Sequence, residues 1–137
     1  MYLLDTNVVS ALRVRREANE PVWNWASATE TSTQFLSVIS VLELERGTVQ
    51  LERRDSAQGA ILRAWLDDQV MPAFADRVIG IDSTIARLCA RLHVPDRKPE
   101  RDAFIAATAL VRGYTVVTRN ARDFQGAGVK LINPWND

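Results

Sequence analysis

The chain opens on Tyr2-Leu3-Leu4-Asp5-Thr6-Asn7, a short apolar run broken by an acid and two small polar residues. An apolar run without alternation reads as a strand covered on both faces, and such strands belong to α/β sheets. Asp5 then stands at the carboxyl end of that strand, where open α/β sheets place their ligands. Asp5 or Thr6 would serve equally well as the cap of the helix that follows. On this segment alone the two readings are equally supported, and acids at comparable places further along would separate them.

Strand-like and helix-like segments alternate from here on. Val8, Val9 and Leu12 give a helical stripe, and Glu20-Pro21 opens a second helix carrying Val22, Trp23, Trp25 and Ala26. Gln34 to Val38 reads as a second strand. Ser40 to about Arg53 and Ser56 to about Met71 read as a helical hairpin, with Ala57, Ala60, Ile61, Ala64 and Trp65 as the apolar face of its second arm and Pro72 as its end. Arg77 to Ile81 is a third strand. Asp82-Ser83 caps a helix with Ile85, Leu88, Cys89 and Leu92 at helical spacing. A charged, proline-containing loop, Val94 to Glu100, leads to Asp102 and the apolar stretch Ala103 to Val111, stopped by Gly113. Thr115 to Thr118 and Val129 to Ile132 supply two more strands. The alternation predicts an α/β layer sandwich around a parallel sheet, in one domain spanning residues 1–137.

Composition narrows the function classes. Formal net charge is zero, so no bulk basic field advertises nucleic-acid binding. Lys98 and Lys130 are the only lysines, and the remaining cations are arginines, which suit bidentate phosphate contacts. Cys89 is the one cysteine and His93 the one histidine, which leaves no disulfide within the chain and no cysteine or histidine metal cluster. His93 reads as a helix-end residue. No apolar run approaches membrane-spanning length, and no leader precedes Asp5, so a cytoplasmic location is expected.

The acids carry the chemistry. Asp102 begins a helix that is apolar nearly all round, and its neighbours on the same face are Ile105, Ala106 and Ala109, so its carboxylate is expected to point along packed surface. An interaction with the helix dipole is the plainer alternative, but a solvated cap would serve it equally well, whereas an inward-aimed carboxylate needs a partner. Glu43 fits a capping box with Ser40. Gly47, one turn further on the same face, suggests instead that something approaches closely there. Asp123 lies in the loop Thr118-Arg119-Asn120-Ala121-Arg122-Asp123, which follows a buried strand and so shares a sheet edge with Asp5. Asp82, Asp96 and Glu100 read as a cap and solvated loop residues. Carboxylates gathered at one edge repel one another and need a cation to stay ionised. Oxygen ligands alone select a hard metal, Mg²⁺ or alternatively Mn²⁺, whose coordinated water suits phosphodiester hydrolysis.

Leu4-Asp5-Thr6-Asn7, Ser37 to Gly47, Asp102 to Ala109, Val117 to Asn120 with Asp123-Phe124, and the ending Asn133-Pro134-Trp135 occur in the order found in PIN-domain ribonucleases. The chain resembles that family, and within it the toxins of VapBC-type toxin–antitoxin modules, especially the FitB-like branch. The resemblance implies a PIN-like three-layer sandwich with a five-stranded, mainly parallel sheet and its first strand central. It implies an Mg²⁺-dependent endoribonuclease whose acidic positions fall on Asp5, Glu43, Asp102 and Asp123. In this reading Asp5 and Asp102 ligate metal directly, Glu43 and Asp123 complete the pocket, and Thr6, Thr118 and Asn120 support it. Asn120 is neutral, which makes Asp123 the choice for the fourth acid. The resemblance further implies a homodimer and a cognate, DNA-binding antitoxin that holds the enzyme inactive by placing a basic side chain, expected to be arginine, in the pocket. Trp23 and Trp25, taken as exposed, are candidates for that contact.

Two rivals come from other classes. Haloacid-dehalogenase-like phosphatases also open on an apolar strand ending in Leu-Asp-Thr, but they need a second acid two residues on, where this chain has Asn7. A non-catalytic interaction module, whose acids only hold a basic partner segment, is the alternative function.

Overall fold

The computed structural model describes residues 1–136. Strand β1 (Tyr2–Leu4) lies at the centre of a five-stranded sheet with β2 (Gln34–Ser37), β3 (Val78–Ile79), β4 (Thr115–Val117) and β5 (Leu131–Ile132), ordered β3-β2-β1-β4-β5. Every pairing is parallel, with Tyr2 opposite Gln34 on one side and Leu4 opposite Val117 on the other. The chain builds outward from β1 to β3, then returns to build β4 and β5 on the opposite side. That reversal puts a crevice beyond the carboxyl ends of β1 and β4.

Successive strand residues face opposite sides of the sheet, and the core divides accordingly. Leu3 and Val116 pack with Ile85, Cys89 and the alanine-rich face of α7 (Glu100–Arg112), beside α6 (Ser83–Leu92). Leu4, Leu36 and Val117 pack with Val8, Val9, Val22, Leu44, Leu66 and Val70 on the other side. Those residues come from α1 (Thr6–Ala11), α2 (Glu20–Ala28), α3 (Val38–Arg54) and the arm that starts with α4 (Ser56–Trp65) and runs through a π-helical turn, Leu66–Val70, into α5 (Met71–Ala73). The sandwich therefore has three layers, as expected. Ala103, Ala106, Ala107 and Ala109 bring α7 close to the sheet, and Gly113 ends it at φ +73°, the left-handed cap that glycine adopts without strain.

Several local expectations are corrected. Helix α3 starts at Val38 and is capped by Ser37, whose side chain accepts from the Ile39 N–H at 3.0 Å. Ser40 is therefore inside the helix, and no capping box joins it to Glu43. An ideal Cβ on Gly47 would meet nothing within 4 Å, so nothing crowds that glycine. The close approach in the hairpin is at Gly59, where a Cβ would stand 2.4 Å from Glu52 Cα, so α3 and α4 touch backbone to backbone. The buried side of α4 carries Gly59, with Leu62 half-buried; Ala57, Ala60, Ile61 and Ala64 face outward, Ile61 being 56% exposed. Trp23 and Trp25 are half-buried. Trp23 donates its indole N–H to the Ala11 carbonyl at 3.1 Å, and Trp25 packs edge-on against Tyr2. Their role is to seat α2.

Candidate acidic active site

Asp5 follows β1 directly and is fully buried. It caps α1, with Oδ1 accepting from the Thr6 N–H at 2.7 Å, while Oδ2 accepts from the Thr118 hydroxyl at 2.8 Å. Thr118 follows β4, so the crevice between adjacent strand ends brings the two together. The cap and the site are thus the same carboxylate. Glu43, in the second turn of α3, turns toward β1, and Oε1 accepts from the Thr6 hydroxyl at 2.6 Å. Ser40 Oγ lies 3.1 Å from that hydroxyl. Asp102, the third residue of α7, is only 6% exposed although two polar residues precede it in the helix.

One side chain ties these acids together. Arg101 Nη2 donates to Asp5 Oδ1 at 2.5 Å and to Glu43 Oε1 at 2.8 Å. Its Nε donates to Glu43 Oε2 at 2.8 Å, and Nη1 donates to Asp102 Oδ1 at 2.6 Å. Asp5, Glu43 and Asp102, spread over most of the sequence, therefore converge on one cation. Sequence reasoning missed Arg101 and the placement of Ser40. Neighbours in a helix do not face each other, so nothing in an Arg-Asp pair signals that both enter one pocket.

The electrostatics follow from this geometry. Burial works to raise the Glu43 carboxyl, but hydrogen bonds from Arg101 and Thr6 and the charges of Arg101 and Arg46 outweigh it and leave Glu43 below its ordinary range. Asp102 goes the other way. Burial raises it, the Arg101 contact opposes that only in part, and the charges of Asp123 and Asp5 add to the rise. Burial disfavours the Arg101 cation, yet its bonds to Glu43 and Asp5 hold it firmly protonated.

Asp123 is exposed, in a 3₁₀ turn, Ala121–Phe124, on the wall of a cleft of about 740 Å³. The same cleft is lined by Thr6, Glu43, Arg101, Asp102 and Asn120, and three more arginines, Arg13, Arg16 and Arg119, stand around it. Asn120 contributes its backbone N–H to Thr118 Oγ1 at 3.0 Å, which orients the hydroxyl facing Asp5. Asn7 accepts from the Arg119 N–H at 3.2 Å and so anchors that loop to α1. The Arg119 guanidinium sits 5.1 Å over the Trp135 ring. All the converging donors are oxygens, and one guanidinium against three carboxylates leaves the pocket short of positive charge. The residues present fit a hard divalent cation.

A second trio, Cys89, His93 and Glu100, places its ligand atoms within 4.8 Å of one another. His93 Nδ1 accepts from the Lys98 N–H at 3.1 Å, which puts the neutral ring's proton on Nε2, the nitrogen facing Cys89 and Glu100. Burial also pushes the Cys89 thiol up, away from thiolate. These groups clasp the loop before α7, consistent with His93 as a helix-end residue.

Comparison with known proteins decides the family. The PIN domain model matches residues 2–129. The chain belongs to the PIN domain family. Among its relatives, the VapC ribonuclease Y4jK of Sinorhizobium fredii is 35% identical over 98% of both chains. Toxin FitB of Neisseria gonorrhoeae is 33% identical over the full length of both. The crystal structure of FitAcB from Neisseria gonorrhoeae superposes with a TM-score of 0.90 at 33% identity, covering all of both chains. In this PIN domain the five-stranded parallel sheet, with β1 central, carries Asp5 at its middle.

Proposed function

We propose that this PIN domain is a metal-dependent endoribonuclease acting as the toxin of a toxin–antitoxin pair. The observation that carries the reading is the convergence of Asp5, Glu43 and Asp102 on a single point at the carboxyl end of the central strand. Relatives named as a VapC ribonuclease and as the FitB toxin support the assignment of RNA as substrate and of a toxin role.

Asp5 and Asp102 would hold Mg²⁺, or Mn²⁺ in its place, with Glu43 and Asp123 completing the acidic wall. When bound, the metal supplies a Lewis acid for the phosphodiester and lowers the pKa of coordinated water. The chain's own residues do the rest. Thr118 and the Thr6 N–H fix both oxygens of Asp5, and the Thr6 hydroxyl fixes Glu43. Such hydrogen-bonding partners typically govern metal affinity by about 10–100-fold. Arg13, Arg16 and Arg119 around the cleft bind RNA phosphates, contacts that fix position without reading sequence.

The same acidic pocket suits an arginine from a small, DNA-binding antitoxin, which would exclude metal. A homodimer through the α3–α4 hairpin belongs to the same reading, because Leu42, Val49 and Ile61 leave apolar surface exposed there. A monomeric mass by light scattering at micromolar concentration would remove the dimer.

Purified protein without its partner should cleave RNA with Mg²⁺ and stop on chelation. If intact, folded protein binds a basic partner but never cleaves RNA with any divalent cation, the pocket serves binding alone.

A further inference from the structure

Arg101 occupies the point on which the proposed metal site depends. Its Nη2 and Nη1 take Asp5 Oδ1 and Asp102 Oδ1, the carboxylates assigned above to the metal, and its Nε and Nη2 take both oxygens of Glu43. Only a forked guanidinium spans three carboxylates in this way. A metal ion held by Asp5 and Asp102 would compete for carboxylates that Arg101 already bonds and would meet a like charge at contact distance, so the two cations oppose each other. Arg101 is also placed to leave. It is the second residue of α7, its side chain is 32% exposed, and it lines the open cleft beside Arg13, Arg16 and Arg119. Its departure needs a change of side-chain rotamer, not a movement of the helix.

We propose that Arg101 is a built-in counter-ion of the carboxylate pocket, which a divalent cation must displace from Asp5, Glu43 and Asp102 before the site can act. The proposal rests on the metal-site reading. Arg101 keeps the acids paired and in part neutralised without metal, and sets how much metal is required for activation. The affinity of the protein for a divalent cation is therefore the affinity of the carboxylates less the cost of evicting Arg101.

The test is calorimetric titration of Mn²⁺ into the whole wild-type protein and into Arg101→Gln, with thermal melts to confirm that both are folded. Arg101→Gln should bind Mn²⁺ about ten-fold more tightly, a coupling of the size usual between two competing ligands. Equal or weaker Mn²⁺ binding by the folded variant overturns the proposal. Nitrogen-15 spectra of the wild type give a second reading that survives a misfolded variant. The Arg101 Nε–H signal, bonded to Glu43, should shift and exchange faster with solvent on saturation with Mg²⁺. A signal unchanged at saturation also overturns the proposal. Wild-type protein that binds neither metal would instead defeat the metal-site reading itself.

Discussion

Arg63 and Arg101 are each surrounded by three acids, and the proposed site is built around Arg101 alone. Arg63 on α4 bonds both oxygens of Glu45 at 2.7 and 2.8 Å, Glu52 at 2.9 Å, and Asp67 at 3.5 Å. Arg101 bonds Asp5, Glu43 and Asp102 at similar distances. The acids around Arg63 are 38–53% exposed and all belong to the α3–α4 hairpin and the turn that continues it. Those around Arg101 are 0–19% exposed and come from the end of the central strand, from α3 and from α7. Charge responds accordingly. The bond to Arg63 pulls Glu45 below its ordinary range, whereas burial keeps Asp102 above its own despite the bond to Arg101. Three acids about an arginine are therefore an exposed clamp on a hairpin and a buried, charge-crowded pocket at a sheet edge.

Substitutions on the two sides sharpen the contrast. Asp5→Asn should cut RNA cleavage by about 10³-fold, the several kcal/mol a metal's charge supplies, with the fold retained in circular dichroism. Cleavage at the wild-type rate would show that Asp5 only caps α1. Gly59→Ala should destabilise by about 1–3 kcal/mol in urea unfolding, because its Cβ meets Glu52 Cα and one of two helices must move. Its residual folded fraction should cleave normally; an unchanged midpoint would mean that the helices part easily. Arg63→Ala should have the smallest effect of all, a slight loss in melting temperature and full cleavage, since exposed ion pairs contribute little. A loss of activity there would erase the distinction between clamp and site.

Much of this was readable from sequence because acids after apolar strands have few places to go. Asp5 follows the run that became β1, and Asp102 precedes a stretch too apolar to sit anywhere but against the sheet. Glu43 was ambiguous for a specific reason. Val38-Ile39 extends the apolar run Phe35-Leu36 of the strand and masks the helix start at Val38, so the cap reads as Ser40 in place of Ser37 and Glu43 falls on a capping position it does not hold. Gly47 and Gly59 are indistinguishable as letters, and only the crossing of α3 and α4 shows which one is in contact. Arg101 was invisible because its role arises from three partners that are distant in the chain or adjacent in the helix. The fold followed from patterns within segments, whereas the wiring of the pocket depends on contacts between them.

Whether the buried acids at this edge are held for a metal or for the fold is decided at Asp102. A carboxyl raised in the folded state favours the protonated form, so its charge at neutral pH costs stability that a neutral isostere restores. Thermal melts of Asp102→Asn with and without Mg²⁺, beside an RNA cleavage assay, measure this. The metal-free variant should be as stable as the wild type or more so, by about 1 kcal/mol, with cleavage abolished and the stabilisation by Mg²⁺ reduced. A destabilised variant that still binds Mg²⁺ and cleaves RNA at full rate would contradict a metal-holding role for Asp102.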